Sequence, residues 1–140
     1  MNIYIIDASV AVKWYVPEIY QQVTWKLLNP AYHLHVPEFF LLEFGNFLCK
    51  KQRRGELNFD ESFFILNKME EVPLLWHQDG LLFPKAFEIA NDTHRSLYDC
   101  LYLSLAIAID GQMVTADLKF YEALQTSPYA NRLLWVEDIP

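Results

Sequence analysis

Four acidic residues interrupt stretches of sequence that are otherwise apolar. Asp7 follows Ile3-Tyr4-Ile5-Ile6, and Glu43 stands among Phe39, Phe40, Leu41, Leu42, Phe44 and Phe47. Asp99 is the only charged residue between Leu97 and Ile109, and Asp117 comes just after Gln112–Thr115. Carboxylates packed together beside a hydrophobic core repel one another, and protonation of some is favoured. A hard divalent ion with oxygen ligands removes that conflict. Mg²⁺ keeps several waters while bound by a few carboxylates, and Mn²⁺ can substitute for it. Taken singly, each acid also has a plainer use. Ser96-Leu97-Tyr98-Asp99 fits the S-x-x-D pattern of a capping box. Asp117 suits the N-cap of a helix Leu118–Leu124, and Asp7 suits a strand-to-helix cap. Glu43 falls on a helical projection either at the outer edge of the core-facing stripe or inward at a pocket rim. The metal reading therefore requires that all four converge.

The elements that must position them follow from the hydrophobic pattern. Ile3–Ile6 is a short continuous apolar run, the signature of a strand covered on both faces in a parallel sheet. Asp7 then lies at the strand's carboxyl end, where open α/β sheets place their ligands. Ala8–Tyr15 reads as helical, and Pro17-Glu18 opens a second helical segment to about Leu28, ended by Asn29-Pro30. His33–Val36 alternates as a second, less buried strand. His33 and His35 point the same way there, but two histidines do not complete a zinc site. Pro37 is placed as the first residue of a helix Pro37–Arg54, with Gly45 assigned to close packing against another helix. A helix from Asn58 or Asp60 to Glu70, a strand Val72–Trp76 and a helix Gly80–Asn91 come next. Leu97–Ile109 has apolar residues nearly all round, so it belongs inside. A turn at Asp110-Gly111, a strand Gln112–Thr115 and a last strand Arg132–Val136 complete the chain. Strands alternating with helices give a three-layer α/β/α fold around a central, mostly parallel sheet of four to five strands. In such a sheet the first strand and Gln112–Thr115 bring Asp7 and Asp117 side by side, with Asp99 nearby.

The whole chain sets limits on this reading. Its 140 residues suit one domain with a substantial core, and 53% hydrophobic against 21% charged residues indicates a folded globular protein. A formal net charge of −7 argues against coating nucleic acid by bulk electrostatics, yet it leaves room for a nuclease whose acids are masked by cations. The only concentrated basic stretch is Lys50-Lys51-Gln52-Arg53-Arg54, followed by Gly55. It suits a helix C-terminus, contact with substrate phosphates, or both. Cys49 and Cys100 lack metal spacing and read as buried free thiols. No secretory signal or bilayer-length apolar run is apparent, so a soluble, cytoplasmic protein is expected.

Four segments in order carry a resemblance: IIDASVAVKWYVPE, PEFFLLEFGNFLCKKQRRGEL, SLYDCLYLSLA and VTADLKF. Together they are similar to the PIN-domain family of ribonucleases, in particular the VapC-type toxins of toxin–antitoxin pairs. The resemblance implies a three-layer PIN-like domain over residues 1–140 and Mg²⁺-dependent cleavage of RNA to a 5′-phosphate and a 3′-hydroxyl. It assigns Asp7, Asp99 and Asp117 to the metal and Glu43 to orienting the attacking water. Ser9 and Thr115 match hydroxyl positions beside the acids, and Asn46 falls where the family often has Asn. Cys100 stands where a small residue such as Ala is usual. Lys50, Lys51, Arg53 and Arg54 are candidates for the RNA backbone, and Trp14 or Tyr15, if exposed, for base stacking. A homodimer and a small antitoxin partner are also implied. Two relatives of this reading stay open: a housekeeping RNA-processing PIN nuclease, and a non-catalytic interaction module on the same fold. A haloacid-dehalogenase-like phosphatase would want a second acid two residues after Asp7, where Ser9 stands. A receiver-like domain would want paired acids near the first strand and a late Lys.

Overall fold

The computed structural model describes residues 2–140. Five strands, β1 (Ile3–Ile6), β2 (His33–Pro37), β3 (Leu74–His77), β4 (Gln112–Thr115) and β5 (Leu133–Trp135), form one sheet in the order β3-β2-β1-β4-β5. Every pairing is parallel, with Ile5 opposite His35 on one side and Met113 on the other. The chain therefore builds outward from β1 to β3, then crosses back to lay β4 against the other side of β1. That reversal leaves a crevice at the carboxyl ends of β1 and β4, the topological switch point at which open α/β sheets bind ligands.

Helices cover both faces: α1 (Ala8–Ala11), α2 (Gln21–Thr24), α3 (Phe39–Arg53), α4 (Phe59–Glu70), α5 (Asp79–Thr93), α6 (Leu97–Ala108) and α7 (Leu118–Ala123). The expectation for α6 holds. Every residue from Cys100 to Ala106 is buried, with α5 on one side and the sheet on the other. The turn after it uses two devices. Asp110 takes the left-handed conformation at φ 57°, and Gly111 runs so close to β1 that an added Cβ would lie 2.8 Å from Ile3 Cγ2. In the middle of the chain, Asn58 caps α4 in a reciprocal capping box with Glu61.

Several local expectations are corrected. The helix after Asp7 is only one turn long and tightens into a 3₁₀ turn, Val12–Trp14. The next segment does not start at Pro17, because Tyr20 is left-handed at φ 69° and α2 begins at Gln21. The two indoles explain this fold-back: Trp14 Nε1 donates to Thr24 O at 3.0 Å, and Trp25 Nε1 donates to Trp14 O at 3.2 Å. Trp14 is consequently core, 5% exposed, and offers no surface for a base. Pro37 ends β2 opposite His77 rather than opening a helix, and α3 starts at Phe39, whose N–H donates to Asp79 Oδ1 at 3.0 Å. His33 and His35 share no partner; His35 Nδ1 instead lies 2.8 Å from His77 Nε2 on the neighbouring strand. Gly45 has open space around it, so close packing does not account for it. Cys100 is buried as expected, but Cys49 is exposed on the outer face of α3. Among the described residues, no helix is long and apolar enough to cross a membrane.

Candidate active site

The four acids reach the switch point from four different elements, and local backbone chemistry sets each one. Asp7 is the N-cap of α1, and its Oδ1 accepts the Ser9 N–H at 2.9 Å. In α6 the cap is Ser96, whose Oγ accepts the Asp99 N–H at 3.1 Å. Asp117 caps α7 by accepting the Phe120 N–H at 3.1 Å, while Thr115 Oγ1 accepts the Asp117 N–H at 3.1 Å. Glu43, on α3, accepts the Tyr102 hydroxyl proton on Oε1 at 2.7 Å. All four line one cavity of about 240 Å³, together with Ser9, Lys13, Phe47 and Ala116. The plain readings and the site reading are thus compatible: the capping acids reach local N–H groups and still face a shared space.

Electrostatics in this space favour a cation. Asp7 is 6% exposed, and burial first, then the charges of Glu43 and Asp99, push its carboxyl up to about 7, against the pull of the Ser9 N–H. Burial also raises Glu43, with Asp99 adding to the rise and the Tyr102 hydrogen bond opposing it. Asp99 is raised by burial and by Asp117, while Ser96 and Arg95 act the other way. The donors are all carboxylate oxygens, the set a hard divalent ion prefers. Among the described residues no three His, Cys, Asp or Glu side chains stand close enough to hold a bare ion by themselves. A carboxylate-lined cavity of this kind fits an ion that keeps part of its water shell, as Mg²⁺ does.

The remaining candidates divide. Ser9 lines the cavity, and Thr115, fully buried, orients Asp117 from behind. Asn46 is exposed on α3 and does not line the cavity. Lys50, Arg53 and Arg54 are exposed near the end of α3. Lys51 is turned inward, with its Nζ 2.7 Å from Glu18 Oε1 and 3.5 Å from Glu56 Oε2. Its charge is paired with two carboxylates, whereas among the described residues Lys50, Arg53 and Arg54 form no salt bridge.

Three residues at the site escaped the sequence reading. Tyr102 stands three residues after Asp99, a spacing that puts both on one helix face, and that signal was readable. Lys13 is the only charged residue between Asp7 and Glu18, inside an apolar segment. Arg95, just before α6, has a buried Nε with no hydrogen-bond partner among the described residues. Nothing in its spacing marked it.

A parallel sheet with a carboxylate-lined cavity at its switch point defines the class: an α/β domain built to gather acids at one sheet edge. The sequence matches the family model of the PIN domain over residues 4–123, and the chain belongs to that family. It is 31% identical over 120 residues to Ribonuclease VapC3 of Pyrobaculum aerophilum, covering 84% of this chain and 92% of that protein. Among solved structures, PAE2754 from Pyrobaculum aerophilum superposes with a TM-score of 0.72 at 21% identity, covering 98% of this chain and 92% of the other. VapBC2 from Rickettsia felis, bound to a DNA fragment from its promoter, gives 0.66 at 16% identity, covering 95% and 98%. These two structural likenesses bear on the fold, which is the same.

Proposed function

We propose that the protein is a divalent-metal-dependent endoribonuclease and the toxin of a VapBC-type pair. The observation that carries this reading is the meeting of Asp7, Glu43, Asp99 and Asp117 around one small cavity. The relationship to Ribonuclease VapC3 supports RNA as the substrate. Asp7, Asp99 and Asp117 would hold Mg²⁺ or Mn²⁺, which when bound polarises the scissile phosphate and stabilises charge on the leaving oxygen. Glu43 is held in place by Tyr102, and its raised proton affinity suits it to orient the attacking water and take its proton. The water oxygen forms the new bond to phosphorus, the bond from phosphorus to the 3′-oxygen breaks, and that oxygen takes a proton from solvent, so that the products are a 5′-phosphate and a 3′-hydroxyl. Ser9 and Thr115 keep Asp7 and Asp117 in position, through the Ser9 N–H and the Thr115 hydroxyl.

A small antitoxin partner is part of the proposal, as is a homodimer. An apolar groove of about 770 Å³, lined by Tyr15, Val16, Leu57, Phe64 and Ile65 among others, suits an amphipathic partner segment. It holds none of the four acids. The reading is tested by sequencing RNA ends after expression of the wild type beside Asp7→Asn. New 5′-phosphate ends in the first and none in the second are expected. Equal end profiles, or full activity in EDTA, would sink it.

A further inference from the structure

The acid-lined cavity has one cationic wall residue. Lys13, in the 3₁₀ turn after α1, is 7% exposed and lines the cavity with Asp7, Ser9, Glu43, Asp99 and Asp117. Four carboxylates would be expected to draw its ammonium in and be neutralised by it. They do not: the Lys13 Nζ donates instead to Glu18 Oε2 at 2.9 Å, and its ion pair is with Glu18 alone among the described residues. Two of its three N–H donors therefore have no protein partner. Glu18 for its part does not depend on Lys13, because its other oxygen is 2.7 Å from Lys51 Nζ. Lys51 is in turn steadied by Glu56. A nearly buried ammonium with unfilled donors is costly unless something completes its shell. The arrangement puts the Lys13 side chain in the wall of an anionic cavity while its ammonium is paired with Glu18 and not with the four acids.

Resting on the nuclease reading above, we propose that Lys13 binds a non-bridging phosphate oxygen of the RNA strand next to the scissile bond, with Glu18 as the positioning residue that keeps its ammonium facing the substrate. A phosphate oxygen supplies the acceptor that the unfilled donors lack. A flexible lysine stem lets the ammonium follow the phosphate as the strand seats. Lys51 and Glu56 make Glu18 a fixed anchor, so that one donor of Lys13 is held by Glu18 while the other two are left for the phosphate.

The test compares wild type, Lys13→Met, Lys13→Arg and Glu18→Gln on a short single-stranded RNA, with steady-state kinetics across a salt series. Lys13→Met leaves the Glu18–Lys51 pair intact, so it should fold; its far-UV spectrum and melting curve confirm that first. Expected are a rise in KM of about tenfold for Lys13→Met, as for loss of a charge-assisted hydrogen bond. The slope of log kcat/KM against log salt should also become shallower by about 0.7, one phosphate contact to a single strand. Lys13→Arg should restore the slope, and Glu18→Gln should keep it while lowering kcat/KM. An unchanged KM and slope in Lys13→Met overturns the proposal, as does equal loss in Met and Arg variants with the slope intact. Anisotropy of the same labelled RNA with Asp7→Asn and with Asp7→Asn/Lys13→Met supplies a reading without catalysis. If the wild type fails to cleave, the nuclease reading falls by itself, and the difference in salt slope between those two binding curves still decides for or against Lys13.

Discussion

The hydroxyl of Tyr102 on α6 donates to Oε1 of Glu43 on α3 across 2.7 Å, tying the central buried helix to a half-buried carboxylate at the cavity wall. Tyr102 is fully buried, and burial together with the charges of Asp7 and Glu43 drives its phenol well above the ordinary range. It is therefore a donor at every working pH. In Tyr102→Phe the ring still fills its place, but Glu43 loses the one hydrogen bond that lowers its pKa, so that pKa climbs. If Glu43 must be ionised to take a proton from water, the acidic limb of the pH–rate profile moves to higher pH. A rate loss of about tenfold near pH 6, shrinking toward pH 9, is expected for one charge-assisted hydrogen bond. A loss independent of pH would mean that Tyr102 only packs.

Asp7 makes the metal-free protein sensitive to pH in the opposite sense from an ordinary salt-bridged carboxylate. Its carboxyl is pushed up to about 7 in the fold, above the ordinary 3.8, so the folded state binds the extra proton. The stability this contributes is full below about pH 4 and is lost as pH rises through 7. The loss is complete above about pH 7 and is on the order of a few kcal/mol, by the usual 1.36 kcal/mol for each pKa unit. In EDTA the melting temperature should therefore climb as pH is lowered from 8 to 5, provided other groups are matched by comparison with Asp7→Asn. That variant should be flatter with pH and more stable than wild type at pH 8, while being inactive on RNA. Thermal melts of both proteins over this range check it.

How far the sequence carried this picture depends on the kind of signal. Where burial alone decides, as in Ile3–Ile6, Gln112–Thr115 and the all-round apolar α6, the elements were read to within a residue. The acids were legible for the same reason, since a carboxylate inside an apolar run is conspicuous. Long-range contacts were not legible. Nothing local shows that Trp14 and Trp25 exchange hydrogen bonds with each other's segments, yet those bonds break the helix expected from Pro17. Pro37 had the right chemistry for a helix start, but the pairing of β2 with β3 extended the strand over it. Lys51 was grouped with its neighbours by sequence, and Glu18 and Glu56 separated it from them in space.

Metal binding should register in stability before it registers in activity. Mg²⁺ or Mn²⁺ relieves the repulsion among Asp7, Glu43 and Asp99, so either ion should raise the melting temperature of the wild type. At a free concentration of about one hundred times Kd, the gain is about 2.7 kcal/mol. Asp99→Asn and Asp117→Asn should each lose most of this gain and most of the cleavage. Binding should also release protons, because Asp7 starts partly protonated near neutral pH. Calorimetry of Mg²⁺ binding in two buffers of different ionisation enthalpy measures that release. Equal apparent enthalpies in both buffers would mean that no proton leaves.

Gly111 tests whether the spacing of β1 and β4 governs the site. An added Cβ there would sit 2.8 Å from Ile3 Cγ2, 2.9 Å from Ile3 O and 3.0 Å from Ile5 Cδ1. The Ile3 oxygen is backbone of the central strand and cannot turn aside, so the start of β4 must move away from β1. Gly111→Ala should therefore cost about 1–3 kcal/mol, the range for overpacking a close contact. The same shift carries Thr115 and Asp117 away from Asp7, because β4 leads directly into both. Cleavage for each folded molecule should then fall as well, measured at a temperature where the variant is fully folded. Asp110→Gly is the matched control: it relieves the left-handed φ of 57° and removes an exposed ion pair with Arg132. Those effects oppose each other and are each worth about 1 kcal/mol or less. Its stability and activity should stay near wild type. A Gly111→Ala protein that is destabilised but cleaves normally would show that the carboxylates find their positions independently of this strand contact.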